Sequence, residues 1–238
     1  MAPGAAAAGA AAAAAARYGD PGFWRGSAPQ SLDHAITEWY ADFAALKPLF
    51  LKTLSFGDSL LLVGPGQSAL HEQLYDSGFR GLTVVDAAEE VLAPWRARSE
   101  AEGRGVKFEV ADVAEGLHTY AHYSYHAAVD KGTLDCLLCR NDGERSARAA
   151  LRNLHGALRS PGTLVVVSHS PSDARLALLR CCEWESIQVK VVSPPGLADA
   201  AAGRAAAAIM DFCADEAQGS LQADGAVCSY VYICRKPY

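Results

Sequence analysis

The stretch from Leu60 to Asp86 sets the strongest limit on what this chain can fold into. Leu60, Leu61, Leu62 and Val63 form an unbroken apolar run, as expected of a strand covered on both faces. Gly64-Pro65-Gly66 follows at once, and glycine lets a backbone turn sharply and approach a ligand where a Cβ would clash. Ser68 can then cap a helix through Ala69, Leu70 and Leu74, after which Leu82 to Val85 reads as a second apolar strand closed by Asp86. A carboxylate at the end of a second strand is placed to accept hydrogen bonds from ribose hydroxyls. Gly64, Gly66 and Ala69 satisfy G-x-G-x-x-A with Asp86 about 20 residues on, so nicotinamide dinucleotides and S-adenosylmethionine both suit the turn.

At 238 residues, half of them apolar, the chain can bury one substantial core, and a single α/β domain is the expected count. Ser31 is expected to cap a helix through Ala35, Ile36, Trp39, Tyr40 and Phe43, whose spacing aligns aromatic side chains on one face. Beyond Asp86 the pattern gives a helix from Glu89 to Ala101, a third strand at Val106 to Val110 leading to Asp112, and a fourth at His126 to Val129 ending on Asp130. A short helix from Thr133, a longer one from Glu144 to Leu158, a fifth strand at Thr163 to Ser168 and a helix near Arg175 to Leu179 follow. Strands at Ile187 to Val192 and Tyr230 to Cys234 close the chain, and residues 193–226 between them read as an insertion with a helix around Ala205 to Cys213. Such alternation implies a mainly parallel, doubly wound sheet with ligands at the carboxyl ends of its strands. Two closing strands without a following helix favour an α/β, Rossmann-like, seven-stranded sheet with an antiparallel last strand, the class I methyltransferase arrangement, over the two equal halves of a dehydrogenase.

A formal net charge of −6 argues against a surface built to grip nucleic acid, and suits a basic polypeptide partner. Seven cysteines, an odd number set mostly in apolar runs, indicate a reducing and therefore cytoplasmic setting. Cys136 and Cys139 form a CxxC inside Leu134 to Cys139, which reads as small core residues on a helix; with no second CxxC or histidine pair nearby, no metal is expected. His118, His122 and His126 have helical spacing, but His126 falls in a strand, so they are expected at surfaces and turns. Residues 1–17 read as a disordered alanine-rich tail ahead of one domain over 18–238, and no strongly apolar run of about 18 residues suggests a membrane span.

Asp130-Lys131-Gly132-Thr133-Leu134-Asp135 resembles the Asp-Lys-Gly-Thr-Leu-Asp motif of the seven-stranded, S-adenosylmethionine-dependent lysine methyltransferases that act on elongation factor 1A and its relatives. Tyr18-Gly19 with Phe23-Trp24 resembles that family's N-terminal Tyr-Gly and Tyr-Trp pairs, Glu38-Trp39-Tyr40 its next aromatic cluster, and Gly64 to Ser68 its Gly-Cys-Gly-Asn-Ser turn. The resemblance runs from Tyr18 to Ser168 and resumes in the last strand; Pro65, Gln67 and Ala87 depart from it, and the Arg-Tyr pair expected after Trp24 is missing.

This resemblance implies S-adenosylmethionine as cofactor and a protein lysine, such as one on elongation factor 1A, as methyl acceptor. Asp86 would then hold the ribose, Asp112 and Val113 the adenine, and Gly64 and Gly66 would pass beneath the methionine portion. Trp24 and Trp39 would offer aromatic faces to the cofactor's positive charge, and Lys131 would lie beside it. Asp130 is the expected catalytic group, orienting the incoming amine, while Asp135 is expected to be structural. Two alternatives stand beside this: a catalytically silent binding module, and a nicotinamide-dependent oxidoreductase, which would need a Tyr-x-x-x-Lys or comparable pair.

Overall fold

The computed structural model describes residues 15–28, 32, 36–117, 123–192, 209–211 and 229–238. A 3-10 turn at Arg17–Gly19 and helix α1 (Pro21–Ser27) precede α2 (Phe43–Thr53), β1 (Ser59–Val63), α3 (Leu70–Asp76), β2 (Gly81–Asp86), α4 (Glu89–Ala101) and β3 (Lys107–Val110). Then come β4 (Tyr125–Lys131), α5 (Thr133–Leu138), α6 (Gly143–Ala157), β5 (Leu158–Ser168), α7 (Ser172–Leu179), β6 (Ser186–Val192), β7 (Ile209–Asp211) and β8 (Ser229–Lys236). The tail at 1–14, Ser31, Ala35, His118 and His122 lie outside the described residues.

The strands form one sheet in the order β3-β2-β1-β4-β5-β8-β6-β7. β1 to β5 run parallel, and β8 is inserted antiparallel between β5 and β6, the arrangement expected of the seven-stranded core. An eighth strand, β7, replaces part of the helix expected over Ala205 to Cys213, the rest of which lies outside the described residues. Ile209, Met210 and Asp211 pair with Val192, Val191 and Lys190, which satisfies backbone groups that the outer edge of β6 would otherwise leave open.

Side chains of β1 alternate between two cores, which is why the whole strand is apolar. Leu61 and Val63 pack with Ala128, Val166 and the α6 residues Ala147, Leu151 and Leu154. Leu60 and Leu62 pack on the other face with Ala127, Val129, Leu46, Phe50 and Leu74.

The helix expected from Ser31 to Phe43 does not form across Ile36–Asp42. Asp42 caps α2 instead, accepting from Ala45 N at 2.8 Å, and Tyr40 takes a left-handed φ of 67° that no helix allows. Among the described residues, no helix is long and apolar enough to cross a membrane.

Candidate functional site

Strand register brings the expected site residues together. Val63 pairs with Val85 on one side and Asp130 on the other, and Asp86 pairs with Val110, so the residues following β1, β2, β3 and β4 emerge side by side. Between β1 and β4 the strand order reverses, the place where open α/β sheets bind ligands. A cavity of about 390 Å³ opens there, and Gly64, Gly66, Asp86, Asp112, Val113, Lys131, Trp24 and Trp39 all line it.

Its floor is the glycine turn. Gly64 and Gly66 have φ values of 56° and 52°, and a Cβ on Gly64 would lie 2.1 Å from Thr133 Oγ1, a hydroxyl that donates to Val63 O at 2.9 Å. Trp95 Nε1 fixes the turn from below by donating to Gly66 O at 2.9 Å. Ser68, expected as the helix cap, lies one residue before the actual N-cap Ala69; its hydroxyl accepts from Leu70 N at 3.3 Å and donates to Glu38.

The two acids differ in their surroundings. Asp86 Oδ1 accepts from Ala88 N at 3.0 Å, yet burial dominates and pushes its carboxyl up to about 6. Asp112 accepts from Ala114 N at 2.9 Å and from Arg140 Nη2 at 2.7 Å. Arg140 Nε also donates to Gly19 O at 3.3 Å, so it joins the N-terminal turn to this acid. No motif in the sequence marks Arg140, and its place on the cavity wall was not anticipated.

The N-terminal segment forms the cover. Trp24 and Trp39 lie with ring centroids 5.6 Å apart, Tyr18 lies 5.3 Å from Trp39, and Trp24 Nε1 donates to Tyr18 O at 2.9 Å. Glu38 ties this cover down: it accepts from Ser68 Oγ, from Ala69 N at 3.1 Å and from Lys131 Nζ. Lys131 is thus paired at the wall, its side chain only 6% exposed.

Asp130 sits behind this wall and does not line the cavity. It is fully buried, Oδ1 accepts from Leu134 N at 3.1 Å, and Oδ2 has no partner. Burial, reinforced by Asp135 and opposed by Arg175, pushes its carboxyl up to about 7. Between the ordinary value of 3.8 and about 7, the unfolded chain releases a proton that the folded chain keeps, so this group lowers stability as pH rises through that window. Asp130→Asn, which retains an oxygen for Leu134 N, is expected to gain up to about 4 kcal/mol over the parent at pH 8 and little at pH 4. Urea unfolding at the two pH values measures this, and equal gains at both would contradict it.

Cys136 lies on α5 as expected and reaches the cavity wall, whereas Cys139 falls just past the helix as its C-cap, where Sγ donates to Asp135 O at 3.4 Å. Burial raises both thiols above their usual range. His126 Nδ1 accepts from Ser59 N at 3.1 Å within the sheet, and among the described residues no cluster of His, Cys, Asp and Glu could hold a metal.

No family model matches the chain. Among solved structures, the N-methyltransferase NodS from Bradyrhizobium japonicum, in complex with S-adenosyl-l-homocysteine, gives a TM-score of 0.53 at 18% identity over 88% of this chain and 98% of that one. The fold is that of class I S-adenosylmethionine-dependent methyltransferases. In sequence, the chain is 34% identical over 111 residues to the eEF1A lysine and N-terminal methyltransferase of Danio rerio, a match covering 47% of this chain and 16% of the relative. It is 34% identical over 122 residues to the EEF1A lysine methyltransferase 4 of Bos taurus, covering 51% of this chain and 46% of the relative. The matched part therefore spans less than half the length of either relative.

Within this methyltransferase fold, Tyr232 and Lys236 have the Tyr-x-x-x-Lys spacing that an oxidoreductase would need. They serve the sheet. Tyr232 Oη donates to Ser170 O at 2.8 Å beyond one end of β5, while Lys236 Nζ donates to Leu158 O at 2.8 Å at the other.

Proposed function

We propose that this chain is an S-adenosylmethionine-dependent methyltransferase, formed by one domain over 18–238, that modifies a lysine side chain on a protein. Elongation factor 1A is the target that the relatives' names suggest, and a net charge of −6 favours a basic protein over nucleic acid as partner. The cysteine usage supports a cytoplasmic setting. The observation that carries the reading is the convergence of Gly64, Asp86, Asp112 and Lys131 on one cavity at the switch point of the sheet.

The residues present fit S-adenosylmethionine. Gly64 and Gly66 leave a floor that side chains would fill, Asp86 offers carboxylate oxygen at the end of β2, and Trp24 and Trp39 provide aromatic faces. When bound, the cofactor supplies a methyl group activated by a sulfonium. Asp86 would accept from the ribose hydroxyls, and Asp112, held by Arg140, together with the backbone of Val113 would meet the adenine amino edge. The indole rings of Trp24 and Trp39 would stabilise positive charge and exclude water. Lys131, tethered by Glu38, would close the wall beside the reacting end, and Asp130 would contribute by anchoring the Lys131–Thr133 turn through Leu134 N. Such a site works chiefly by holding an amine in line with the methyl, at a separation of about 3 to 3.5 Å.

The test pairs calorimetry with transfer. Titration with S-adenosylhomocysteine and with NAD should give binding of the first only, and labelled S-adenosylmethionine should place label on a lysine of recombinant elongation factor 1A, read by mass spectrometry. Binding without transfer to any protein would leave a silent binding module, and binding of NAD alone would overturn the cofactor.

A further inference from the structure

The cavity has an edge that the cofactor-binding residues do not explain. Gly132 follows Lys131 with φ 88°, and a Cβ there would lie 3.2 Å from the Tyr40 ring and 3.4 Å from the Trp39 ring. Tyr40 faces it with its own left-handed φ of 67°, a costly conformation for a bulky residue and one that persists where surrounding structure imposes it. Tyr40 Oη lies 3.1 Å from His169 Nδ1, at the carboxyl end of β5, and Nδ1 is also 3.5 Å from Asp135 Oδ1. The His169 side chain is 59% exposed, so these contacts run from solvent to the cavity edge.

Two acids and one cation lie buried behind that edge. Asp130 on β4 and Asp135 on α5 share a single buried cation, Arg175 on α7, which bonds Asp135 Oδ1 together with Ser168 Oγ. One oxygen of each acid, Asp130 Oδ2 and Asp135 Oδ2, is buried without a partner. Cys136 on α5 and Tyr232 on β8 are further titratable neighbours, with Tyr230 and Asp173 beside Tyr232; burial raises Cys136 and Tyr232, so neither adds charge near neutral pH. Burial and Asp135 likewise hold the Tyr40 phenol in its protonated form. Tyr40 O–H directed at Asp135 leaves Tyr40 Oη to accept from His169 Nδ1–H, the tautomer with the lone pair on Nε2.

Resting on the methyltransferase reading above, we propose that the acceptor lysine enters over Tyr40 and Gly132 and that His169 Nε2 takes the proton its ammonium must lose. The step balances: an N–H bond of the ammonium breaks, its electron pair stays on the amine nitrogen, and the proton converts the neutral imidazole to imidazolium. Asp135 and Tyr40 stabilise that cation from the Nδ1 side, and the exposed ring returns the proton to water. Asp130, sealed behind the wall, does not touch the amine.

His169→Gln and Tyr40→Phe test this, because neither side chain lines the cofactor cavity. Both variants should bind S-adenosylhomocysteine as the parent does by calorimetry, which also reports folding. With S-adenosylmethionine and recombinant elongation factor 1A, His169→Gln should lower kcat about 100-fold at pH 7, the scale of a lost general base, and recover as pH rises and the lysine deprotonates by itself. Independently of activity, 15N-histidine spectra of the parent with S-adenosylhomocysteine should show His169 protonated at Nδ1 and bare at Nε2, with a mixture of tautomers in Tyr40→Phe. A proton on Nε2, or parent-like kcat and pH profile in His169→Gln, would overturn the assignment while leaving methyl transfer intact. A parent that transfers no methyl group would instead sink the reading on which it rests, and the proton assignment with it.

Discussion

Asp86→Ala is expected to weaken S-adenosylhomocysteine binding by about 100-fold at pH 8, measured by calorimetry. Hydrogen bonds to a charged acceptor are worth about 1.5 to 3 kcal/mol each, and two ribose hydroxyls sharing one carboxylate would together supply about 3 kcal/mol after partial replacement by water. Since burial pushes the Asp86 carboxyl up to about 6, parent affinity should also fall as pH drops below that value, where the acid becomes a poorer acceptor. The alanine variant, already weak, should lack that pH dependence. Asp86 also accepts from Ala88 N, so thermal unfolding must accompany the titration to separate a lost ligand contact from a disturbed turn. Affinity within about threefold of the parent, in a folded variant, would remove Asp86 from the ribose site.

Gly64→Ala should be the most damaging single methyl group that can be added at the site. The residue sits at φ 56°, where a side chain is strained, and its Cβ would fall 2.1 Å from Thr133 Oγ1. Thr133 cannot simply rotate away, because Oγ1 donates to Val63 O at 2.9 Å and the residue opens α5. Backbone strain of about 1 to 2 kcal/mol and a similar cost for displacing Thr133 give a loss of about 3 kcal/mol, or a fall of about 6 to 12 °C in Tm. Cofactor affinity should collapse with it, since the same turn is the cavity floor. Gly64→Ala combined with Thr133→Ala should recover the clash but not the strain, so that the double variant is less destabilised than the sum of the two single ones. Strict additivity in thermal unfolding would show that the two residues do not press on each other.

The glycine turn, Asp86 and Asp112 were legible because each lies at a strand end that apolar patterning identifies, and parallel pairing in register brings such ends together. Asp130 was read from the same logic and placed differently, because a strand end does not say which face a side chain takes. Side chains alternate along a strand: Ala128 packs with the α6 core, and Asp130, two residues on, lies beside Asp135 and Arg175, whereas Lys131 turns to Glu38 on the other side. The aromatic run from Ile36 to Phe43 fits a helix by spacing alone. Asp42 is a strong cap in its own right, and the preceding residues are held out of a helix by Thr37 N, which donates to Gln67 O, and by Glu38, which accepts from Ser68 Oγ. Within residues 193–226 the spacing suggests a helix around Ala205 to Cys213, but Ile209–Asp211 forms a strand by pairing with the edge of β6, a partner local patterning does not reveal.

Short-range physics, written in the order of residues, dictates the apolar strands, the sharp turn built on glycines, and the acid closing the second strand. Which partner each charged group meets follows from packing between distant segments. Arg140 reaches Asp112 across 28 positions, Lys131 meets Glu38 across 93, and His169 meets Tyr40 across 129. Contacts at such separations depend on how the helices pack against the sheet, and a charge carries no mark in the chain of the burial that will dictate its protonation.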